Sequence, residues 1–258
     1  MSRFAFADER DGLALGAYLE RLLTLDKTAA IRLVGVGPVV AAYSAPPLHG
    51  SASRGVTVLA VRTLALDPDA PSFDRTVGAG RLLDAIEPDS RGFALPDALL
   101  GGPSWAGLMP PRTGWRPVGE LTLRQLTEAV AQGNADFRFG ALGRDRAGLD
   151  ALAEEIWTRE FPLGLRWRAA HAAAVMGFLG QAADPATAPG GSASDAPRPD
   201  TPQSNTTASS AAAPGAPQSA AAAPGAAGAD VTARVAAHTR WLRLDAPFGT
   251  VIERMTGE

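Results

Sequence analysis

Cysteine is absent from the 258 residues. Its absence excludes a disulfide framework, a zinc site built on thiolates and a cysteine nucleophile. Histidine occurs only at His49, His171 and His238, which leaves little material for a metal site, so no metal and no cofactor are expected. Lysine is reduced to Lys27, and the other 23 of the 24 basic residues are arginine. Arginine suits bidentate recognition of carboxylate and phosphate. A bias this complete, spread over the whole chain beside abundant alanine, glycine and proline, reads instead as GC-rich codon usage. Long apolar runs are missing too. The most apolar helical stretch, AAHAAAVMGFL at 169–179, is about half of the ~20 residues that a membrane span needs. Residues 1–10 meet charges at once and hold no apolar signal region. A cytoplasmic protein with no membrane partner is the expectation.

What the chain does contain suits a folded body: 46% hydrophobic residues, 20% charged and a formal net charge of −3. Residues 181–230 stand apart. They hold no Leu, Ile, Val, Met or aromatic side chain, but 18 Ala and 8 Pro. Such a segment cannot bury enough apolar surface to offset its ordering entropy, and its prolines interrupt every alanine run. It is expected to be a disordered low-complexity linker. Asp184, Asp195, Asp200 and Asp230 against Arg198 give it the whole net charge, so the remaining body is formally neutral. A neutral body disfavours nucleic-acid binding.

Leu15, Tyr18, Leu19, Leu22 and Leu23 follow a helical stripe, which predicts a helix over about 8–24. AAIRLVGVG and PVVAAYSA read as two strands split at Gly37-Pro38, and 56–66 as a third. Short connections make them an antiparallel meander. A fourth strand over 73–77 and a short helix over 80–86 follow, then an irregular, proline- and glycine-rich region over 88–119. Helices are expected after the cap Thr122, with Gly133 as a stop, around Leu149, Leu152 and Ile156, and over 165–179. TRWLRLDAPFGTVIERM reads as a closing hairpin, and no internal repeat is visible. The fold expected is α+β: an antiparallel sheet, made of an N-terminal meander and a C-terminal hairpin, packed with helices and carrying one long disordered Ala/Pro-rich insertion. Residues 1–180 with 231–258 are read as one domain, because about 28 residues after the linker cannot fold alone.

Three segments carry a resemblance: PSWAGLMPPRTGWRPVGELTLRQL, AAHAAAVMGFL and RWLRLDAPFGTVIER. They resemble uncharacterised proteins of high-GC actinobacteria, a group without assigned activity. The resemblance implies a soluble cytoplasmic protein and transfers no mechanism.

A search for chemistry returns mostly ordinary structure. VGVGPVV at 34–40 has two glycines after a strand, but Pro38 opens another strand where a dinucleotide fingerprint needs a helix, so it reads as a hairpin turn. There is no phosphate loop, no GxSxG elbow and no HExxH pair. His49 lies in a Ser-bearing loop, and His171 reads as a packed helical histidine. Asp67 and Asp69 flank Pro68 in ordinary turn chemistry. A hydrolase or transferase site assembled from His49, Asp67 and Arg112 is the alternative reading. The leading one is a non-enzymatic interaction protein with a protein partner or self-association. Its binding residues are Trp105, Arg112, Trp115 and Arg116, because Trp and Arg concentrate in one proline-braced loop. Arg112 and Arg116 flank Trp115 in sequence, and one of them is expected to stack on its indole. The plain alternative is that both indoles fold inward and staple the loop to the body.

Overall fold

Asp8 starts the first helix. Its carboxylate accepts the N–H of Arg10 at 2.8 Å and caps α1 (Glu9–Leu25), whose buried face is Leu15, Tyr18, Leu19 and Leu22 as the stripe predicts. In the computed structural model the described residues are 2–48, 57–180 and 231–255. The linker expectation for 181–230, and His49, lie outside them.

Before α1 runs β1 (Arg3–Ala5). After it come β2 (Ala30–Val36), β3 (Val39–Ser44) and β4 (Val58–Ala65), the expected meander. Gly37 turns the first hairpin at φ +55, a left-handed conformation that glycine adopts without steric cost. β5 (Phe73–Gly78) pairs with β2, and α2 (Ala79–Asp84) follows. β6 (Gly92–Ala94) pairs with β1 in a separate two-stranded ribbon. Then come β7 (Arg116–Thr122), α3 (Leu123–Gly140), α4 (Arg146–Trp157) and α5 (Trp167–Val175). The chain closes with β8 (Thr232–His238), β9 (Trp241–Ala246) and β10 (Gly249–Arg254).

Eight strands form one antiparallel sheet in the order β5-β2-β3-β4-β10-β9-β8-β7. The closing hairpin therefore enters the middle of the sheet, with Thr250 opposite Val61 and Glu253 opposite Val58. Strand alternation divides the side chains. Val58, Ala60, Val235, Leu242, Leu244 and Val251 face a core shared with α1, α3 and α5. Leu59, Val61, Trp241 and Ile252 form a smaller cluster. Val251 and Ile252 separate as adjacent strand residues should.

The topology also shows a symmetry that the sequence hides. A helix followed by a three-stranded meander occurs twice, as α1 with β2-β3-β4 and as α5 with β8-β9-β10. The last strands of the two units meet at the centre of the sheet.

Several expectations need correction. Gly133 does not stop α3; it lies inside the helix, where a Cβ would come within 2.6 Å of the Trp157 ring. Close helix packing, not termination, requires glycine there. β1, β6, β7 and β8 were not expected. Pro117 and Gly119 disguise β7, which carries a register shift between them, and the alanines of β8 have low strand preference. Trp241 is buried on the sheet face away from the helix that carries Val175.

Tyr18 ties α1 to the sheet. Its hydroxyl donates to the Ala60 carbonyl at 2.9 Å and lies 2.6 Å from Ser44 Oγ. Burial raises its pKa well above the usual tyrosine range. Tyr18→Phe leaves two buried polar groups without this partner and should cost about 1–3 kcal/mol, a drop in melting temperature of roughly 2–12 °C. A thermal melt indistinguishable from the parent would show that the bridge contributes nothing.

Candidate functional site

The sheet face opposite α1 and α5 is crossed by the loop between β6 and β7. Pro103 leads into a single 3-10 turn, Ser104–Gly107. The turn is held by Ala106 N–H to Pro103 O at 3.0 Å and Leu108 N–H to Trp105 O at 2.9 Å. Arg32 on β2 donates to the Ala106 carbonyl and fastens the turn to the sheet. Trp105, Leu108 and Trp115 then pack with Ala41, Tyr43 and Ala45 around Leu59, Val61, Trp241 and Ile252. The Trp115 indole N–H donates to the Pro111 carbonyl at 2.9 Å, closing the loop on itself.

Both indoles are half-buried and pack against the smaller cluster. The cation over Trp115 is neither Arg112 nor Arg116: it is Arg243 on β9, 4.9 Å from the ring centroid. The His238 ring stands 5.8 Å away, tilted by 58° to the indole. Two residues adjacent in sequence seldom share a face at a strand's start, whereas a facing strand can supply a cation directly. Arg116 is the first residue of β7 and sits opposite Ala237, which packs with the helix-backed core. Alternation therefore directs Arg116 away from the face that holds Trp115. Arg112 is exposed.

Charge on this face is organised in pairs. Arg32 grips Asp74 through two hydrogen bonds of 2.8 and 2.6 Å. That grip holds the Asp74 carboxyl below the usual range. Asp245 accepts from Arg243 Nε at 2.9 Å and from Thr250 at 2.8 Å. Glu120 lies 3.6 Å from Arg234. Burial pushes the Tyr43 hydroxyl up, and the positive charges of Arg112 and Arg32 pull it back. Arg112 and Arg254 form no ion pair among the described residues; Arg254 lies 6.0 Å from the Trp241 ring centroid.

The other candidates are placed elsewhere. Asp67 closes its own turn by accepting the N–H of Asp69 at 3.0 Å, and no contact joins it to Arg112 among the described residues. His171 stacks on Trp157 at 3.9 Å and 6°, the packed role expected of it. Among the described residues no group of three or more His, Asp or Glu could hold a metal ion. Clefts of about 530 Å³, beside Lys27, Arg81 and Asp97, and about 570 Å³, beside Glu9 and Arg91, contain no residue of the 105–116 loop. Sequence reasoning missed Tyr43, Arg243, His238 and Arg254. Only strand alternation in β3, β8, β9 and β10 could have brought them to this face of the sheet, and β8 gave no strand signal.

What this geometry defines is an α+β protein in which a helix-backed antiparallel sheet offers an aromatic and guanidinium face. The chain belongs to the family described as Domain of unknown function (DUF8185), which matches residues 110–258. Residues 1–107 match a second family, Domain of unknown function (DUF8010). No curated protein matches the chain. The two matches divide within the 105–116 loop, and each supplies four strands to the eight-stranded sheet, joined at β4 and β10. No helix among the described residues is long and apolar enough to cross a membrane.

Proposed function

We propose that this chain is a non-enzymatic interaction protein of a high-GC actinobacterial cytoplasm, and that it binds a protein partner through the 105–116 loop. Trp105, Trp115 and Arg112 form the contact surface; Arg116, directed to the other side of the sheet, is left out of it. The observation that carries this reading is the loop's half-open state: its two indoles lie on a sheet face while Arg112 stays exposed and without an ion pair among the described residues. Residues of that kind act in a complex more than in the isolated fold. The same proposal treats 1–180 with 231–258 as one folding unit and 181–230 as the linker between its parts.

Arg112→Ala should leave the melting temperature within about 1 °C of the parent, since surface substitutions usually change stability by under about 0.5 kcal/mol. Trp115→Ala should cost about 2 kcal/mol, roughly half the loss for a fully buried tryptophan. Both should weaken association, followed by sedimentation velocity for self-association and by cross-linking in the native cell for a partner. Unchanged association in both variants would remove the loop as an interface.

A further inference from the structure

We infer that the aromatic face takes an extended acidic peptide segment of a partner protein, its carboxylates meeting Arg112 and Arg254 and its apolar or proline side chains lying on Tyr43, Trp105 and Trp115. This rests on the binding role proposed for the loop and adds the chemistry of what it binds.

The charge pairing on the face selects the sign. Asp74, Asp245 and Glu120 are each already matched by an arginine, Arg32, Arg243 and Arg234 respectively. Arg112, whose charge also acts on Asp74 through space, and Arg254 form no ion pair among the described residues, which leaves this face two positive charges in excess on a protein whose formal net charge is −3. A guanidinium with no carboxylate at ion-pair distance is a ready bidentate partner for one. The floor selects the shape. Tyr43, Trp105 and Trp115 are half-buried around Leu59, Val61, Trp241 and Ile252, so they offer flat, pre-packed plates. Aromatic plates of this kind receive extended and proline-containing chains, whose preformed conformation loses little entropy on docking. Nucleic acid fits less well. Binding of that kind draws on many phosphate contacts, whereas the described residues of this face leave two cations in excess, and their three carboxylates would stand among successive phosphates.

The probe is a labelled decapeptide of alternating glutamate and proline, with serine–proline and lysine–proline counterparts and a dT10 oligonucleotide alongside. Binding to the full chain is read by fluorescence polarisation at low ionic strength. The glutamate–proline peptide should bind at least tenfold more tightly than either counterpart and than dT10. Arg112→Ala and Arg254→Ala should each weaken it about fivefold, while Arg138→Ala, at the far end of α3, leaves it unchanged. Raising salt from about 50 to 300 mM should weaken it severalfold, as screening requires. Equal binding of the glutamate and serine peptides overturns the inference, as does tighter binding of dT10 or an Arg112→Ala variant that binds as the parent does. A concentration-dependent dimer that excludes the peptide also overturns it, because a second copy then occupies the face. If Arg112→Ala loses its cellular partner but not the peptide, the loop remains an interface and only the acidic class falls.

Discussion

Truncation after residue 230 should abolish cooperative unfolding. The missing piece holds β8, β9 and β10, three of the eight strands, and β10 is the central partner of β4. With it go Val235, Trp241, Leu242, Leu244, Val251 and Ile252, all buried. Large core side chains cost about 2–5 kcal/mol each on removal, so the summed loss exceeds the 5–15 kcal/mol that holds a typical domain together. β4 would also be left as an apolar open edge, which invites aggregation. Calorimetry and solubility of the 1–230 chain check this. A soluble truncated chain that melts like the parent would make the last segment an appendage and end the single-unit reading.

Replacing Arg168 should produce the largest effect of a single substitution, and one that depends on pH. Arg168 is only 1% exposed. Its Nη2 donates to Glu154 Oε1 at 3.2 Å, and its Nε lies 3.9 Å from Glu253 Oε1. Arg166 adds a second contact to Glu253 at 3.9 Å. These residues lock α4 and α5 to β10. Arg168→Met removes the cation from between two buried carboxyls and should cost about 3–5 kcal/mol at neutral pH, or roughly 6–20 °C. Burial raises the Glu253 pKa, and Arg168 and Arg166 oppose the rise. A raised pKa means that the fold favours the protonated acid. That contribution is fully present below the unfolded value of about 4.3 and is lost as pH climbs through the folded value. Without Arg168 the folded pKa climbs further. The deficit should therefore be greatest near pH 7.5 and shrink towards pH 4.5. Glu253→Gln, which needs no counter-charge, should cost less than Arg168→Met at pH 7.5. A deficit that stays constant or grows on acidification would refute this account of the cluster.

The candidate face illustrates why a site can be half legible. Trp105, Trp115 and Arg112 stood out because composition alone concentrates them in a short loop. The rest of the face did not: Tyr43 and Arg254 are 211 positions apart and reach the same face only through the pairing of β3 with β4 and of β4 with β10. The stacking cation came from Arg243 for the same reason. A cross-sheet contact has no signature at short sequence spacing.

The sequence by itself determined the local elements whose signals are local. The 3.6-residue stripe of α1, its Asp8 cap, the Gly37 turn and the alternation of β2, β3 and β4 all depend on neighbours within a few positions, and so did the capping box of Thr122 and Gln125 at α3. Tertiary structure decided the rest. It set the order of strands in the sheet, the insertion of the closing hairpin at its centre and the repeat of a helix with three strands. It also placed Gly133 against Trp157, buried Arg168 between Glu154 and Glu253, and sent Arg116 away from Trp115. These features depend on which surfaces meet, and that choice is made by the burial of the whole apolar set at once, which no window of sequence contains.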